Sequence, residues 1–447
     1  MYDNYYPSNY ENLIVGADTT VPLRNGRLVT AINFDNAATT PPFCAVMQEI
    51  MNFSPWYSSI HRGTGYKSQL SSHFYENARK TVGEFVNADL SKDTVIFVKN
   101  TTEAINKVAH SLSSTDEQPV VLSTCMEHHS NDLPWRRNYR VGYIDIDEDG
   151  RLNIEDLKYK LEKYNGSVKL VVVTGASNVT GHKNPIYEIA TLVHQYNCKI
   201  LVDGAQLVPH SPVEMKPHSS PQHIDYLVFS GHKMYAPFGI GVLVAPQTSF
   251  STNPPDLVGG GTVDLVTHNQ ILWADVPQRE EAGTPNVFGV VALIAAIKTL
   301  SQLDMKKIEY HEYRLMEYAL MRMRQVPEVE LYGDCIHLKN RVSIVPFNIK
   351  GISHDLTAKI LSMEGGIAVR NGCFCAQPYV QKLLGIPDEK LQEHIQHPEL
   401  PRPGMVRISF GLYNQIHEID KLIALLWTIT SNKQYYIDLY KDSPNFF

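Results

Sequence analysis

The chain reads as an α/β protein, with an open, mostly parallel sheet in a large domain and a smaller α+β domain at the C-terminal end. Three observations predict this. Short apolar runs alternate with helical patterns between residues 94 and 245. Those runs lack strict polar/apolar alternation, as strands buried on both faces do. After about residue 290 the alternation stops, and two long helical stretches precede isolated strand-like runs.

The elements follow in order. Thr94-Val95-Ile96-Phe97-Val98 is a β-branched strand. Asn100-Thr101-Thr102-Glu103 then starts a helix carried by Ala104, Ile105, Val108, Ala109 and Leu112, because a threonine before an acidic first turn is a start signal. Strands are predicted at 119–122 and 141–146, a helix at 154–163, and a strand at 169–173. A helix at 186–195, a strand at 199–202 and strands at 225–229 and 239–244 complete the alternation. Two helices, near 286–301 and 305–325, lead to strands near 342–348, 366–370 and 405–410, and an amphipathic helix near 418–430 closes the pattern. The division is an N-terminal arm at 1–30, a large domain at 31–290 and a small domain at 291–447. There is no internal repeat or long linker.

Composition narrows the function classes. Of 447 residues 43% are hydrophobic, enough for a sizeable core, and glycine and proline (27 and 26) are near average usage. A net charge of −7 gives no electrostatic reason to bind nucleic acid or anionic lipid. Six scattered cysteines make no disulfide framework and favour a reducing compartment. The first residues carry no basic region followed by an apolar run, and the most apolar stretch, 287–297, is broken by Lys298. A cytoplasmic protein without a membrane span is expected.

Open α/β sheets bind ligands at the carboxyl ends of their strands. Polar residues recur at those ends: Asn100-Thr101-Thr102, Glu127-His128-His129, Ser177-Asn178, Asp203-Gly204-Ala205-Gln206 and Ser230-Gly231-His232-Lys233. Five such loops suggest one shared pocket. Lys233 has apolar, glycine-rich flanks; desolvation there would lower its pKa and make it a nucleophile for Schiff-base chemistry. Asp203 reads equally as a helix N-cap or as a buried acid facing a pyridinium nitrogen. A pyridoxal phosphate enzyme needs such a lysine, such an acid and donors for the phosphate, which Thr101 and Thr102 at a helix N-terminus, with Ser230 and His232, would supply. Glu127-His128-His129 lacks helical i, i+4 spacing, so no metal is expected. His210, His218 and His223 sit in a Pro/Ser-rich connection and are expected to be solvated.

Asp203-Gly204-Ala205-Gln206 followed by Phe229-Ser230-Gly231-His232-Lys233-Met234-Tyr235-Ala236-Pro237 resembles the class V aminotransferase group, and within it the cysteine desulfurases of the SufS kind. Asp35 to Thr40, His61-Arg62-Gly63, Thr101 to Asn106, Met126 to His129, Ser177 to Gly181, Glu281 to Asn286, Val369 to Gly372 with Cys375-Ala376, and Val406 to Ser409 match in family order, over about residues 32 to 430. The resemblance implies fold type I of the pyridoxal phosphate enzymes, with a mostly parallel seven-stranded sheet. It implies that Lys233 binds the cofactor and moves the α-proton, Asp203 faces the pyridine nitrogen, Gln206 reaches the ring hydroxyl and His128 stacks on the ring. Thr101, Thr102, Ser230 and His232 would hold the phosphate, with Thr284 reaching in from a second subunit of a homodimer. Ala37, Arg62, Asn178, Arg370 and Arg407 would bind the substrate.

Cys373 and Cys375 bear on the reaction. By composition they are as readily small core residues; by resemblance Cys375 is the family's nucleophile, and a nearby guanidinium would favour its thiolate. The implied chemistry converts L-cysteine to L-alanine and leaves a Cys375 persulfide that donates sulfur to an acceptor protein. The Gly372-Cys373-Phe374-Cys375 run departs from the SufS-like pattern and also resembles the desulfurase domain of molybdenum cofactor sulfurases. The 380–404 segment, long and proline-rich, reads as a lid or docking surface, and Cys373 as a candidate relay thiol. The rival readings are a class V enzyme without a persulfide (aminotransferase, epimerase, selenocysteine or other C–S lyase) and a non-enzymatic paralogue.

Overall fold

A computed structural model describes residues 10–113, 118–164 and 166–444. Seven strands form the central sheet: β1 (Asp93–Val98), β2 (Val120–Thr124), β3 (Arg140–Ile144), β4 (Val168–Thr174), β5 (Lys199–Asp203), β6 (Tyr226–Ser230) and β7 (Gly241–Pro246). Their order is β1-β7-β6-β5-β4-β2-β3. Only β7 runs against its neighbours; the other pairings are parallel.

The absence of strict alternation has a direct cause: both faces are covered. Val95, Phe97, Leu122, Val171, Val202 and Phe229 enter one core, whereas Ile96, Val98, Val121, Val172, Leu201 and Val228 enter another on the opposite face. Apolar side chains are therefore required at consecutive positions. The first core extends under helices that the sequence reading did not place, α1 (Cys44–Phe53) and α2 (Tyr66–Phe85). Both pack on α3 (Val287–Leu303), which is buried along most of its length.

The C-terminal part builds a second, antiparallel sheet around its own core. It contains β8 (Val329–Leu331), β9 (Ile344–Ile349), β10 (Arg370–Gly372) and β11 (Met405–Ser409), ordered β8-β9-β11-β10. The strand expected near 366–370 is two pieces, because Ile367–Ala368 pairs in parallel with Ile32–Asn33 and only Arg370–Gly372 joins the sheet. That pairing brings the Asp35 turn against β11. The closing helix spans Ile416–Ser431 and is followed by another at Lys433–Tyr440. The 380–404 segment holds the end of a helix at Gln377–Leu383, a second at Asp388–Gln396, and a proline-rich return to β11. Of the expected arm, residues 1–9 lie outside the described residues, and Thr20–Pro22 pairs with Leu28–Thr30.

One expectation is corrected here. His210 and His223 are buried, and His218 is half-buried. His210 Nδ1 lies 2.7 Å from Glu312 Oε2, and His218 Nε2 lies 2.9 Å from Asp93 Oδ1. Their partners come from distant elements, which local Pro/Ser composition does not reveal. Among the described residues no single helix is long and apolar enough to cross a membrane.

Candidate active site

A cavity of about 230 Å³ opens at the carboxyl ends of the large sheet's strands, where strand order reverses. It gathers Ala37, Thr101, Thr102, His128, Asn178, Asp203, Gln206, Ser230, His232, Lys233, Arg370, Cys375 and Arg407. Arg62, expected at the site, lies elsewhere: it is exposed, with Nη2 3.5 Å from the Val263 carbonyl oxygen. Thr284, expected to serve a second subunit's site, is exposed on the segment before α3.

Lys233 ends a single 3₁₀ turn directly after β6. Burial lowers its pKa to about 8, against an upward pull from Asp203 and with a further lowering from Arg407. Asp203 ends β5 and accepts the Ala205 backbone N–H at 2.9 Å. Burial raises its pKa, and Lys233 opposes that shift. A charged nitrogen beside Asp203 would compensate the burial of its carboxylate.

The opposite wall is a helix N-terminus. Asn100 caps the helix Thr101–Ser111 by accepting the Glu103 N–H. The Ser230 hydroxyl accepts the Thr101 N–H at 2.8 Å and lies 2.7 Å from the Thr101 hydroxyl. Hydroxyls and the positive end of a helix make this corner suited to a phosphate. The Thr102 hydroxyl pairs with Ser130 at 2.7 Å. His128 Nδ1 accepts the Ser130 backbone N–H, which leaves the proton of the neutral ring on Nε2. Burial first, then Lys233, pushes the His128 pKa down to about 3, and burial lowers that of His232 to about 4. Both rings are neutral at pH 7.

An aromatic aldehyde phosphate fits these residues. Gln206 donates through Nε2 to the Ala37 carbonyl at 2.6 Å, yet its buried Oε1 has no partner. Facing a cavity, that acceptor awaits a hydroxyl-bearing ligand. The lysine, the buried acid, the neutral imidazole and the phosphate corner surround the same space.

The rim carries paired cations. Arg370 on β10 lies opposite Arg407 on β11. Asp35 sits between them, with Oδ1 3.1 Å from Arg407 Nη2 and Oδ2 3.7 Å from Arg370 Nη1. Arg407 also donates to the Asn178 carbonyl at 2.7 Å, and burial lowers its pKa to about 10, so it stays charged. Two guanidinium groups with one carboxylate leave net positive charge for a substrate carboxylate.

Cys375 is exposed at the cavity, in a loop held on three sides. Its carbonyl accepts the His129 N–H at 2.7 Å, the Phe374 carbonyl accepts Asn178 Nδ2 at 2.6 Å, and the Phe374 ring lies under the Arg407 guanidinium at 4.9 Å. Phe374 and Cys375 both have positive φ, 52° and 55°. Consecutive non-glycine residues in this region cost about 1–2 kcal/mol each, so the surrounding contacts impose the conformation. Cys373 points elsewhere: its Sγ lies 3.0 Å from the Pro403 carbonyl oxygen, and burial raises its pKa.

Sequence reasoning missed Asp35 as the bridge between the two arginines, Ser130 as the partner of both His128 and Thr102, and Glu127 beneath the floor. Glu127 accepts from the Thr124 hydroxyl, the Thr174 N–H and Asn131 Nδ2, and burial raises its pKa to about 8. The available signals were Asp35 opening the Asp35–Thr40 turn and Ser130 two residues beyond His128.

Known proteins resemble this chain over most of its length. The aminotransferase class-V family model matches residues 32–422. A cysteine desulfurase of Haloferax volcanii is 35% identical over 419 residues, 92% of each protein. One from Escherichia coli strain K12 / DH10B is 34% identical over 425 residues, 93% of this chain and 97% of that protein. The apo cysteine desulfurase of Thermococcus onnurineus NA1 superposes with a TM-score of 0.79 at 31% identity, covering 90% of this chain and 95% of that one. The cysteine desulfurase CsdA of Escherichia coli, in an S-sulfonic acid form, gives 0.75 at 27% identity, covering 92% and 95%. The chain belongs to the class-V aminotransferase family, and it stands there among proteins named cysteine desulfurases.

Proposed function

We propose that this protein is a pyridoxal phosphate-dependent cysteine desulfurase that takes sulfur from L-cysteine onto Cys375 and releases L-alanine. The observation that carries the reading is that Lys233, the Asp35-bridged Arg370 and Arg407, and the exposed Cys375 thiol share one cavity.

The cofactor, when bound, supplies an electron sink for the substrate's Cα. Lys233 would hold the cofactor by its aldehyde and would take the substrate's α-proton on Nζ; a pKa near 8 leaves a useful fraction neutral at physiological pH. Asp203 would keep the ring nitrogen protonated, and His128, neutral with its proton on Nε2, would hold the ring. Gln206 would accept from the ring hydroxyl, and Thr101, Thr102, Ser230 and His232 would hold the phosphate. Arg370, Arg407 and Asn178 fix the substrate carboxylate, with Ala37 shaping the wall beside them. The Cys375 sulfur attacks the substrate sulfur: the S–S bond forms, the Cβ–S bond breaks, and protons returned to the carbon skeleton complete alanine. The Cys375 persulfide is the sulfur donor. The rival class V reactions lack a use for a thiol at this rim.

The protein works as a homodimer. Arg62 and Thr284, outside their own chain's cavity, both lie near the strands Val263–Val266 and Ile271–Trp273. Gly283 N–H donates to Gly260 at 2.7 Å, and Leu265, Val266, Ile271 and Leu272 are exposed. An exposed apolar hairpin beside two site residues favours a second copy there, into whose cavity they reach. Residues 31–290 form the cofactor domain and 291–447 the domain bearing the cysteine loop. The exposed helix Asp388–Gln396 offers a docking surface for a sulfur-acceptor protein, in the cytoplasm. Incubating the purified protein with L-cysteine and other amino acids, and measuring alanine, sulfide and keto acid together, tests the activity. With a thiol reductant present to discharge the persulfide, equal alanine and sulfide from L-cysteine alone among the amino acids is expected; keto acid without sulfide refutes it.

A further inference from the structure

At the end of the large sheet away from the cavity, Asp93 opens β1. His218 and His223 come to it from the connection between β5 and β6. The three residues offer ligand atoms that all lie within 4.8 Å of one another. His218 Nε2 is 2.9 Å from Asp93 Oδ1, and the two imidazole centroids are 4.0 Å apart.

Two features set this cluster apart from an ordinary buried ion pair. Asp93 and His223 are only 1% and 4% exposed, yet Asp93 Oδ2 and His223 Nε2 have no hydrogen-bond partner. Buried polar atoms left bare are rare, and here there are two in one cluster. The other ring nitrogen of His223 is fixed. Nδ1 lies 2.8 Å from the Lys216 carbonyl oxygen and 3.1 Å from that of Met215. A carbonyl can only accept, so Nδ1 carries the proton and Nε2 presents its lone pair. A backbone carbonyl orienting the far nitrogen is the outer-shell arrangement of metal-binding histidines.

We propose that Asp93, His218 and His223 bind one divalent transition-metal ion, with Zn²⁺ the fitting species. Two imidazoles and a carboxylate suit zinc, whereas magnesium and calcium prefer oxygen donors. Water entering past half-buried His218 completes the tetrahedron. The ion takes the Asp93 and His223 atoms that are otherwise bare, and His218 exchanges its hydrogen bond for a bond to the metal. The role is structural. Asn100, which lines the cavity, is roughly 20 Å along the chain from Asp93 at strand rise. The metal pins the 204–225 connection to the sheet edge; the same connection is also tied to the end of α2, where Met215 N–H donates to the Val86 carbonyl at 2.7 Å.

The test uses the full-length holoprotein carrying Cys373→Ser and Cys375→Ala, because those thiols could hold zinc themselves. Zn²⁺ is added, the protein is dialysed, and bound metal is measured by atomic spectroscopy; Co²⁺ replaces it for visible spectra. One zinc per chain is expected, with cobalt bands free of thiolate charge transfer and a raised melting temperature. His223→Gln and His218→Gln each weaken zinc binding by at least about 10–100-fold, with the cofactor's absorbance unchanged. No retained zinc, or retention unaffected by both substitutions, overturns the proposal. Should His223→Gln fail to fold, the half-buried His218→Gln decides alone.

Discussion

Lys233 is the residue whose environment most constrains its chemistry. Burial lowers its pKa from the ordinary lysine value to about 8, and Asp203 pulls the other way. Between about pH 8 and the ordinary value of about 10.4 this amine is neutral while a solvated lysine is charged. Only the neutral amine attacks an aldehyde. Capture of pyridoxal phosphate by the apoprotein should therefore accelerate as pH rises and level off above about 8, followed by absorbance. A rate still climbing at pH 10 would place Lys233 in water. In the proposed reaction Cys375 serves only after cofactor capture, so Cys375→Ala should lower alanine and sulfide production by about 10³-fold or more while the yellow colour persists. Undiminished sulfide would remove the persulfide step. Lys233 was legible in the sequence because strand-end loops of an α/β sheet converge on one crevice; Cys375, in the loop after β10 of the C-terminal antiparallel sheet, was legible only through the family resemblance. Asp35 as a bridge was not, because its role depends on which residues of β10 and β11 face each other. The burial of His218 and His223 was equally hidden, since their partner Asp93 is set by how the connection folds back on the edge strand.

At the scale of elements, the register of β10 on β11 does something a sheet normally avoids. It sets Arg370 directly opposite Arg407. Like charges facing each other across an antiparallel pair repel, and Asp35 offsets the repulsion while aiming both groups at the rim. Asp35→Asn should raise KM for L-cysteine about tenfold, roughly the worth of one charge-assisted hydrogen bond, with a smaller effect on kcat. Steady-state kinetics checks this, and an unchanged KM would mean that the guanidinium groups need no bridge. A second element-level constraint is Gly366, which ends the helix His354–Gly365 at φ 63°. A Cβ there would lie 2.7 Å from Val29 Cγ2 of the N-terminal hairpin. Gly366→Ala should cost about 1–2 kcal/mol from the left-handed backbone alone, read as a lower denaturant midpoint. Element types were legible from apolar runs and helix caps. Their lengths were less so: the run near 366–370 splits because its first half pairs with Ile32–Asn33, a partner more than three hundred residues away in sequence.

For the whole molecule, the question is why two residues that match the family pattern lie outside the cavity. Thr284 and Arg62 are exposed, and the hairpin beside them presents Leu265, Val266, Ile271 and Leu272 to solvent. A chain that used its own Thr284 would have to bend the 281–286 segment away from Gly260. A second copy needs no such rearrangement, and it would cover the apolar hairpin at the same time. Sedimentation of the wild-type protein should therefore give a dimer. Leu265→Glu with Leu272→Glu should give a monomer, because a carboxylate cannot be buried unpaired in an apolar interface. That monomer should also release pyridoxal phosphate more readily, since its phosphate corner lacks the partner's threonine. Thr284→Ala separates the two effects: it should remain dimeric, with unchanged circular dichroism, and lose cofactor affinity by about tenfold, the worth of one hydrogen bond to a charged group. A monomeric double variant that keeps full cofactor affinity would mean that each cavity is complete within one chain.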